Sequence, residues 1–142
     1  QIERLEGLAY QKKIKLEFLP GDEHKIISDV MLLGRAFSNV TSNCIRYAKE
    51  TVQISVEAAE DRLKITIRDD GPGISEADLP HLFDRFYKGK NGNHGLGLSI
   101  AKRSMEYMGG NIEAESSPEG AIFMITLPQD CRSFAVEEWT DV

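Results

Sequence analysis

The strongest constraint on the fold lies between residues 51 and 69. Thr51 to Ala58 and Arg62 to Asp69 are two runs of alternating apolar and polar residues joined by a short polar turn around Glu60-Asp61. A period of two over runs of this length specifies a β-hairpin with one buried face, and that face needs a cover. The preceding segment offers one. A helix is predicted from Asp29 to about Tyr47, with Ser28 or Asp29 as its cap. Val30, Leu33, Phe37, Val40 and Cys44 recur there at spacings of three and four and form one apolar stripe.

The rest of the chain reads around this pair. Residues 1 to 13 are polar and helix-compatible; Ile14, Leu16 and Phe18 alternate with Lys15 and Glu17 as in a strand; Pro20-Gly21-Asp22 turns the chain, and Lys25 to Ser28 form a short second strand. After the hairpin, Gly71-Pro72-Gly73 is a tight turn. Residues 75 to 82 predict a short helix with Ser75 at its N-cap and Glu76 and Asp78 in its first turn. From Phe83 to His94 there is no period, and Gly89, Asn91, Gly92 and Asn93 mark a mobile loop. A helix from about Leu96 to Met108 stops at Gly109-Gly110, and two last strands, Asn111 to Ser116 and Ala121 to Leu127, flank Pro118-Glu119-Gly120. Elements in the order ββαββααββ predict an α+β fold, a two-layer sandwich with one mixed or antiparallel sheet and about three helices on one face. Residues 14–128 form the expected domain, residues 1–13 the remnant of an upstream helix or linker, and residues 129–142, without period, a C-terminal tail.

Composition excludes several function classes. With 17 Lys+Arg against 23 Asp+Glu and a net charge of −6, the chain lacks the basic surplus of a sequence-independent nucleic-acid binder, so any phosphate binding is local. Cys44 and Cys131 lie far apart and outside any C-x-x-C arrangement, which indicates neither a disulfide framework nor a zinc site and fits a reducing compartment. Apolar runs such as Val30 to Leu33 are far short of the ~20 residues of a membrane span. Gln1 opens no signal-peptide pattern, and a start without Met suggests a piece of a longer protein.

Three places can carry chemistry. On the Asp29–Tyr47 helix, Asn39, Asn43 and Arg46 or Tyr47 form a second stripe facing away from the sheet. It reads as a solvated face, or, because an Asn amide oxygen ligates hard cations, as a Mg²⁺ ligand set. In the strand 62–69, the phase of Leu63, Ile65 and Ile67 carries Asp69 onto the buried face. A carboxylate there needs a donor, and either an internal backbone amide or an adenine amino group would serve. Asp70 falls on the opposite, solvated phase, and Gly71 and Gly73 let the backbone approach a flat ligand. Finally, Gly95-Leu96-Gly97-Leu98 opens a helix and exposes backbone N–H groups at its positive end, which suits a polyphosphate. Arg85, Lys88, Lys90 and His94 in the preceding loop form either a local positive patch or a solvated charge run.

Together and in this order, these segments resemble the catalytic ATP-binding domain of bacterial sensor histidine kinases, in the superfamily that also holds gyrase B, the heat-shock chaperone ATPase and mismatch-repair ATPases. The resemblance covers about residues 14 to 128. Arg35-Ala-Phe-Ser-Asn39-Val-Thr-Ser-Asn43-Cys-Ile-Arg46-Tyr47-Ala is similar to the N box, and Asp69-Asp-Gly71-Pro-Gly73-Ile74 to the first glycine box. Leu82-Phe83-Asp84-Arg85-Phe86-Tyr87 is similar to the F box, Gly95-Leu-Gly97-Leu-Ser-Ile-Ala-Lys to the second glycine box, and Gly120-Ala-Ile-Phe123 to the final hairpin. Asn93 and His94 depart from the Gly and Ser or Thr usual before the second glycine box.

The resemblance implies a Bergerat-type fold and a set of residue roles. Asn39, Asn43 and Arg46 would be catalytic, with Asn43 holding Mg²⁺ against the triphosphate, Asn39 supporting that site and Arg46 contacting phosphate oxygens. Tyr47 would lie near the nucleotide, Asp69 would accept from the adenine amino group, and Gly71, Gly73 and Ile74 would admit the base. Residues 83 to 94 would form the ATP lid, with Phe86, Lys88 and His94 on it. Gly95, Leu96, Gly97 and Leu98 would hinge it and meet the phosphates. His94 is either a pH-dependent donor or an ordinary lid residue. In the hydrolytic ATPases a Glu one turn before the Mg²⁺ asparagine activates water. Here that residue is Asn39, a poor general base, which favours transfer to a protein nucleophile.

None of His24, His81 and His94 is followed by an acidic residue as family acceptors are. The acceptor histidine is therefore expected in an upstream dimerisation domain, with a response-regulator receiver domain as the next partner. The resemblance thus implies a cytoplasmic domain, monomeric as this fragment, of a homodimeric kinase in the bacterial inner or plasma membrane, with ATP and Mg²⁺ bound and no nucleic acid. The competing readings are a regulatory nucleotide-binding module of the same superfamily without turnover, and an anti-sigma-type serine kinase.

Overall fold

A computed structural model describes residues 2–18, 24–25, 30–59, 62–85, 97–128 and 133–134. The elements in chain order are α1 (Ile2–Gln11), β1 (Lys15–Phe18), β2 (His24–Lys25), α2 (Val30–Tyr47), β3 (Thr51–Ala59), β4 (Arg62–Asp69), a 3-10 turn (Leu79–His81), α3 (Gly97–Tyr107), β5 (Asn111–Ser117), β6 (Gly120–Pro128) and β7 (Ser133–Phe134). Five strands form one sheet in the order β1-β3-β4-β6-β5. β1 runs parallel to β3, and the other neighbours are antiparallel, so the sheet is mixed, as predicted.

The hairpin of β3 and β4 sits at its centre. β4 alternates between exposed or half-buried and buried positions until it ends on buried Asp69, because Leu63, Ile65 and Ile67 point to the helices. Across the ladder, Ile65 pairs with Val56 on one side and Ile125 on the other. α2 packs on β3, β4 and β6 and against α3, while α3 lies over β5 and β6. Phe37 from α2 and Phe123 from β6 are both fully buried in the core between the layers, where a side chain of this size contributes about 1.5–3 kcal/mol. α3 ends in a Schellman motif: Gly110 N–H donates to Met105 O at 2.8 Å and Gly109 N–H to Glu106 O at 3.0 Å, with Gly109 in the left-handed region.

Several expectations change. Residues 75–82 do not form an α-helix. Ser75 Oγ accepts the Asp78 N–H at 3.1 Å, so Ser75 starts the turn as expected, but only Leu79–His81 coils, as 3-10. An isolated helix of this length cannot offset its nucleation cost, and the burial of Asp78 and Leu82 draws the segment against the domain instead. The third helix is α1, whose Leu5 and Ala9 are buried in the shared core and whose Arg4 donates to Ser38 Oγ on α2. The segment read as a tail contributes β7, which pairs with β2 in a separate two-stranded ribbon. The remainder of the predicted strand 25–28, the Glu60-Asp61 turn, Cys131 and most of residues 129–142 lie outside the described residues. Among the described residues no helix is long and apolar enough to cross a membrane.

Candidate functional site

A cavity of about 320 Å³ opens where the last turns of α2 meet the chain leaving β4, and its wall includes Asn43, Tyr47, Asp69, Gly73, Ile74, Asp78 and Phe123. That size lies in the range of small-molecule sites. At its floor is Asp69, only 3% exposed. Its Oδ1 accepts the Gly71 N–H at 2.9 Å and, across the ladder, the Ala121 N–H at 3.2 Å. Burial raises the Asp69 pKa, and the Gly71 and Ala121 donors offset only part of that rise. The internal amide and the ligand, alternatives on sequence grounds, are therefore compatible: backbone donors hold one oxygen of a carboxylate that also borders a cavity.

Asn43 is 8% exposed and Asn39 is half-buried, so the second stripe of α2 is not solvated at its asparagines, although it is at Arg46. Asn43 shares the cavity wall with Asp69 and with residues of the segment leaving β4. Among the described residues its amide is bonded to no other side chain or backbone group. Asn39 is committed: its Nδ2 donates to Gly97 O at 3.2 Å, tying α2 to the first residue of α3. Tyr47, Gly73 and Ile74 line the cavity; Asn39, Arg46, Gly71, Gly97 and Leu98 are not on its described wall. Arg46 is exposed, and Leu98, at 2% exposure, belongs to the core rather than to a surface a ligand could touch with its side chain. Phe86, Lys88, His94, Gly95 and Leu96 lie outside the described residues.

The glycines answer first to the chain itself. A Cβ on Gly71 would overlap the Tyr47 carbonyl oxygen, and one on Gly73, at φ +82°, would stand 2.5 Å from Ser117 O. The expectation that they merely clear space for a base is thus incomplete, since α2 and β5 press against them. Ile74 N–H donates to Ser116 Oγ at 2.6 Å, fixing the turn to β5.

Sequence reasoning missed two residues. Asp78 is buried in the cavity wall, although its position three residues after Ser75 suggested only a first helical turn. Asp70, expected to be solvated, accepts from the backbone N–H groups of Lys49 at 2.7 Å, Glu50 at 3.1 Å and Thr51 at 3.2 Å. Partial burial acts to raise its pKa, but the three amides outweigh that and hold it below the usual carboxylate range. Its share of stability is therefore present above the unfolded pKa of about 3.9 and is lost as pH falls through the lower folded value.

The cation expected here has a donor set to meet. Among the described residues no group of three or more His, Cys, Asp or Glu could hold a metal. Mg²⁺ commonly takes one or two protein oxygens and completes its shell with water and substrate phosphates, and the buried amide of Asn43 at the cavity wall fits that demand.

Residues 28–130 match the family of histidine kinase-, DNA gyrase B-, and HSP90-like ATPases. Signal transduction histidine-protein kinase AfsQ2 of Streptomyces coelicolor is 44% identical over 108 residues, covering 72% of this chain and 20% of that protein. Sensor histidine kinase CusS of Escherichia coli K12 is 33% identical over 131 residues, covering 87% and 27%. The chain spans 20–28% of the length of the curated relatives it matches. Among solved structures, mycobacterial sensor histidine kinase MprB has a TM-score of 0.77 at 25% identity over 94% of this chain and 95% of that one. Full-length ShkA, crystallised with AMPPNP, has a TM-score of 0.82 at 23% identity over 93% of this chain and 29% of that one. The mixed sheet with its helical layer is thus the fold of histidine kinase catalytic domains.

Proposed function

Because the chain belongs to the family of histidine kinase-, DNA gyrase B- and HSP90-like ATPases, we propose that it is the catalytic part of a sensor histidine kinase. It binds ATP in the cavity between α2 and the segment leaving β4. It passes the γ-phosphoryl to a histidine of an upstream dimerisation domain, for relay to an aspartate of a response-regulator receiver domain. The observation that carries this reading is the buried Asp69 carboxylate, held through Oδ1 by Gly71 and Ala121 and bordering the same cavity as Asn43. An adenine amino group is a donor that such an acceptor can recognise.

Asn43 would hold Mg²⁺, which when bound neutralises phosphate charge. Arg46 and the backbone at the start of α3 are assigned to the phosphates, and Phe86, Lys88, His94, Gly95 and Leu96 to the lid and its hinge. Gly97 stands where its carbonyl is anchored by Asn39. That anchor also bears on the outcome of the reaction: a neutral amide whose Nδ2 already donates is a poor base for activating water, so the γ-phosphoryl is kept for a protein nucleophile. His24 lies in a strand and His81 in the 3-10 turn, neither on the helix from which family acceptors react. We therefore assign the acceptor, and the dimer contact, to the upstream domain of a membrane-bound kinase, with this part in the cytoplasm.

Calorimetry of ATP binding with and without Mg²⁺ tests the reading. Mg²⁺ should tighten ATP binding to the wild type, and Asn43→Ala should remove that increment, weakening binding in Mg²⁺ about tenfold or more. An Asn43→Ala variant that keeps the full Mg²⁺ dependence would remove Asn43 from the site.

A further inference from the structure

Leu98, Ala101 and Met105 form the buried stripe of α3, and Lys102 stands at its border, half-buried. A cation in that place needs partners. Its Nζ donates to Asn111 Oδ1 at 3.2 Å and to Ile112 O at 3.1 Å, both at the start of β5. It also lies over the ring of Phe83, 4.9 Å from the centroid, within cation–π reach. Phe83 in turn meets Phe123 edge to face, with centroids 6.3 Å apart and planes at 89°, the arrangement that aromatic pairs prefer. Phe123 is a wall of the cavity. It stands two residues along β6 from Ala121, whose N–H donates to Asp69, so this wall belongs to the end of the cavity assigned to the base. The geometry points to Lys102 as a positioning residue for nucleotide binding: anchored on β5, its ammonium fixes the ring of Phe83 and, through it, the Phe123 wall beside Asp69. This role rests on the reading of the cavity as the ATP site.

The chemistry favours more than a tie between α3 and β5. Asn111, Ile112 O and the Phe83 ring are all neutral partners, and two acceptors occupy two of the three donors of the ammonium. Its charge remains available to the face of the ring. Phe83 follows the 3-10 turn and belongs to neither a helix nor a strand, so no regular backbone ladder sets where its ring lies; its side-chain contacts do. Phe123 is held differently, by the register of β6 between Ile67 and Ala114. Loss of the cation therefore frees the Phe83 ring first, and the support behind the cavity wall with it.

The test is a double-mutant cycle read by calorimetry with ATP and with ADP in Mg²⁺, for the wild type, Lys102→Met, Lys102→Arg, Phe83→Leu and Phe83→Leu with Lys102→Met, with thermal melts of each. Lys102→Met keeps a long unbranched stem without the charge and should weaken both nucleotides about threefold to tenfold, equally, because the wall it supports faces the base. Lys102→Arg, which keeps charge and donors and can lie on the ring, should restore binding to within about twofold. In the Phe83→Leu background, Lys102→Met should cost no further affinity, yet it should still lower the melting temperature, since the bonds to β5 are lost in either background. If Lys102→Met does not fold, Lys102→Gln supplies an uncharged side chain that can still donate to β5. A folded Lys102→Met or Lys102→Gln protein that melts lower but binds ATP normally reveals a tie alone and overturns the role. So does an equal loss of affinity with and without the Phe83 ring, or a loss confined to ATP. Absence of ATP binding in the wild type overturns instead the reading of the cavity beneath it.

Discussion

Asp69→Asn should lower ATP affinity about 100-fold, equivalent to ~2.7 kcal/mol, while leaving the melting temperature unchanged or raised. The loss follows from the backbone. Gly71 and Ala121 both donate to Oδ1, so an Asn in this place must set its carbonyl oxygen toward them and present its NH₂ to the cavity. An adenine amino group then meets a donor where it needs an acceptor. Inosine triphosphate, whose six-position carries an oxygen, should show the reverse order, binding the wild type poorly and gaining affinity in Asp69→Asn. The stability sign is opposite to the binding sign. The folded pKa of Asp69 is raised chiefly by burial, so ionisation costs stability as pH rises from the unfolded value through the folded one, and a neutral Asn escapes that cost. Calorimetry with both nucleotides and a thermal melt check the prediction; an Asp69→Asn protein that binds ATP normally would sink the adenine assignment.

Gly71→Ala should destabilise the domain by about 3 kcal/mol, whereas Gly7→Ala should stabilise it by about 0.5–1 kcal/mol. At Gly71 an added Cβ would overlap the carbonyl oxygen of Tyr47, with the carbonyl carbon at 3.0 Å and Asp69 Oδ1 at 3.2 Å. Relief requires the end of α2 or the exit of β4 to move, and both carry cavity residues, so nucleotide affinity should fall with stability. Gly7 sits on the exposed side of α1, and nothing stands within 4 Å of an added Cβ, so only the helix preference of Ala acts. Denaturant unfolding of the two variants gives both signs, and equal stabilities would mean that the packing of Gly71 against Tyr47 is not tight in solution.

The features that were legible in the sequence are those set by local period and chemistry. Two-residue alternation predicted β3 and β4, and it delivered Asp69 to the buried face because that strand keeps its phase to the last residue. Gly109-Gly110 marked the end of α3 because left-handed backbone there requires glycine. What was not legible depends on partners distant in the chain. Asp70 lies on the outward phase, yet the amides it collects come from residues 49–51, brought beside it only when α2 and β4 pack. For Asn43 the solvated and the ligand readings stayed open, because its face of α2 points away from the apolar stripe and nothing local indicates that residues 72–75 and Asp78 complete a cavity beside it. The segment after Ser75 carries helix-start signals that serve a single 3-10 turn equally well. Asn39 is the reverse case: its residue type was noticed, but its bond to Gly97 joins segments 58 positions apart.

The central claim is that this fold binds ATP and hands its γ-phosphoryl to a histidine outside residues 1–142. Its most direct test incubates the chain with γ-labelled ATP, Mg²⁺ and a separately supplied dimerisation domain from a sensor histidine kinase, and follows both protein label and free phosphate. The account predicts acid-labile, alkali-stable label on the histidine of the added domain, none on the chain itself and little free phosphate. Free phosphate released at a comparable rate with no label on the added domain would contradict it.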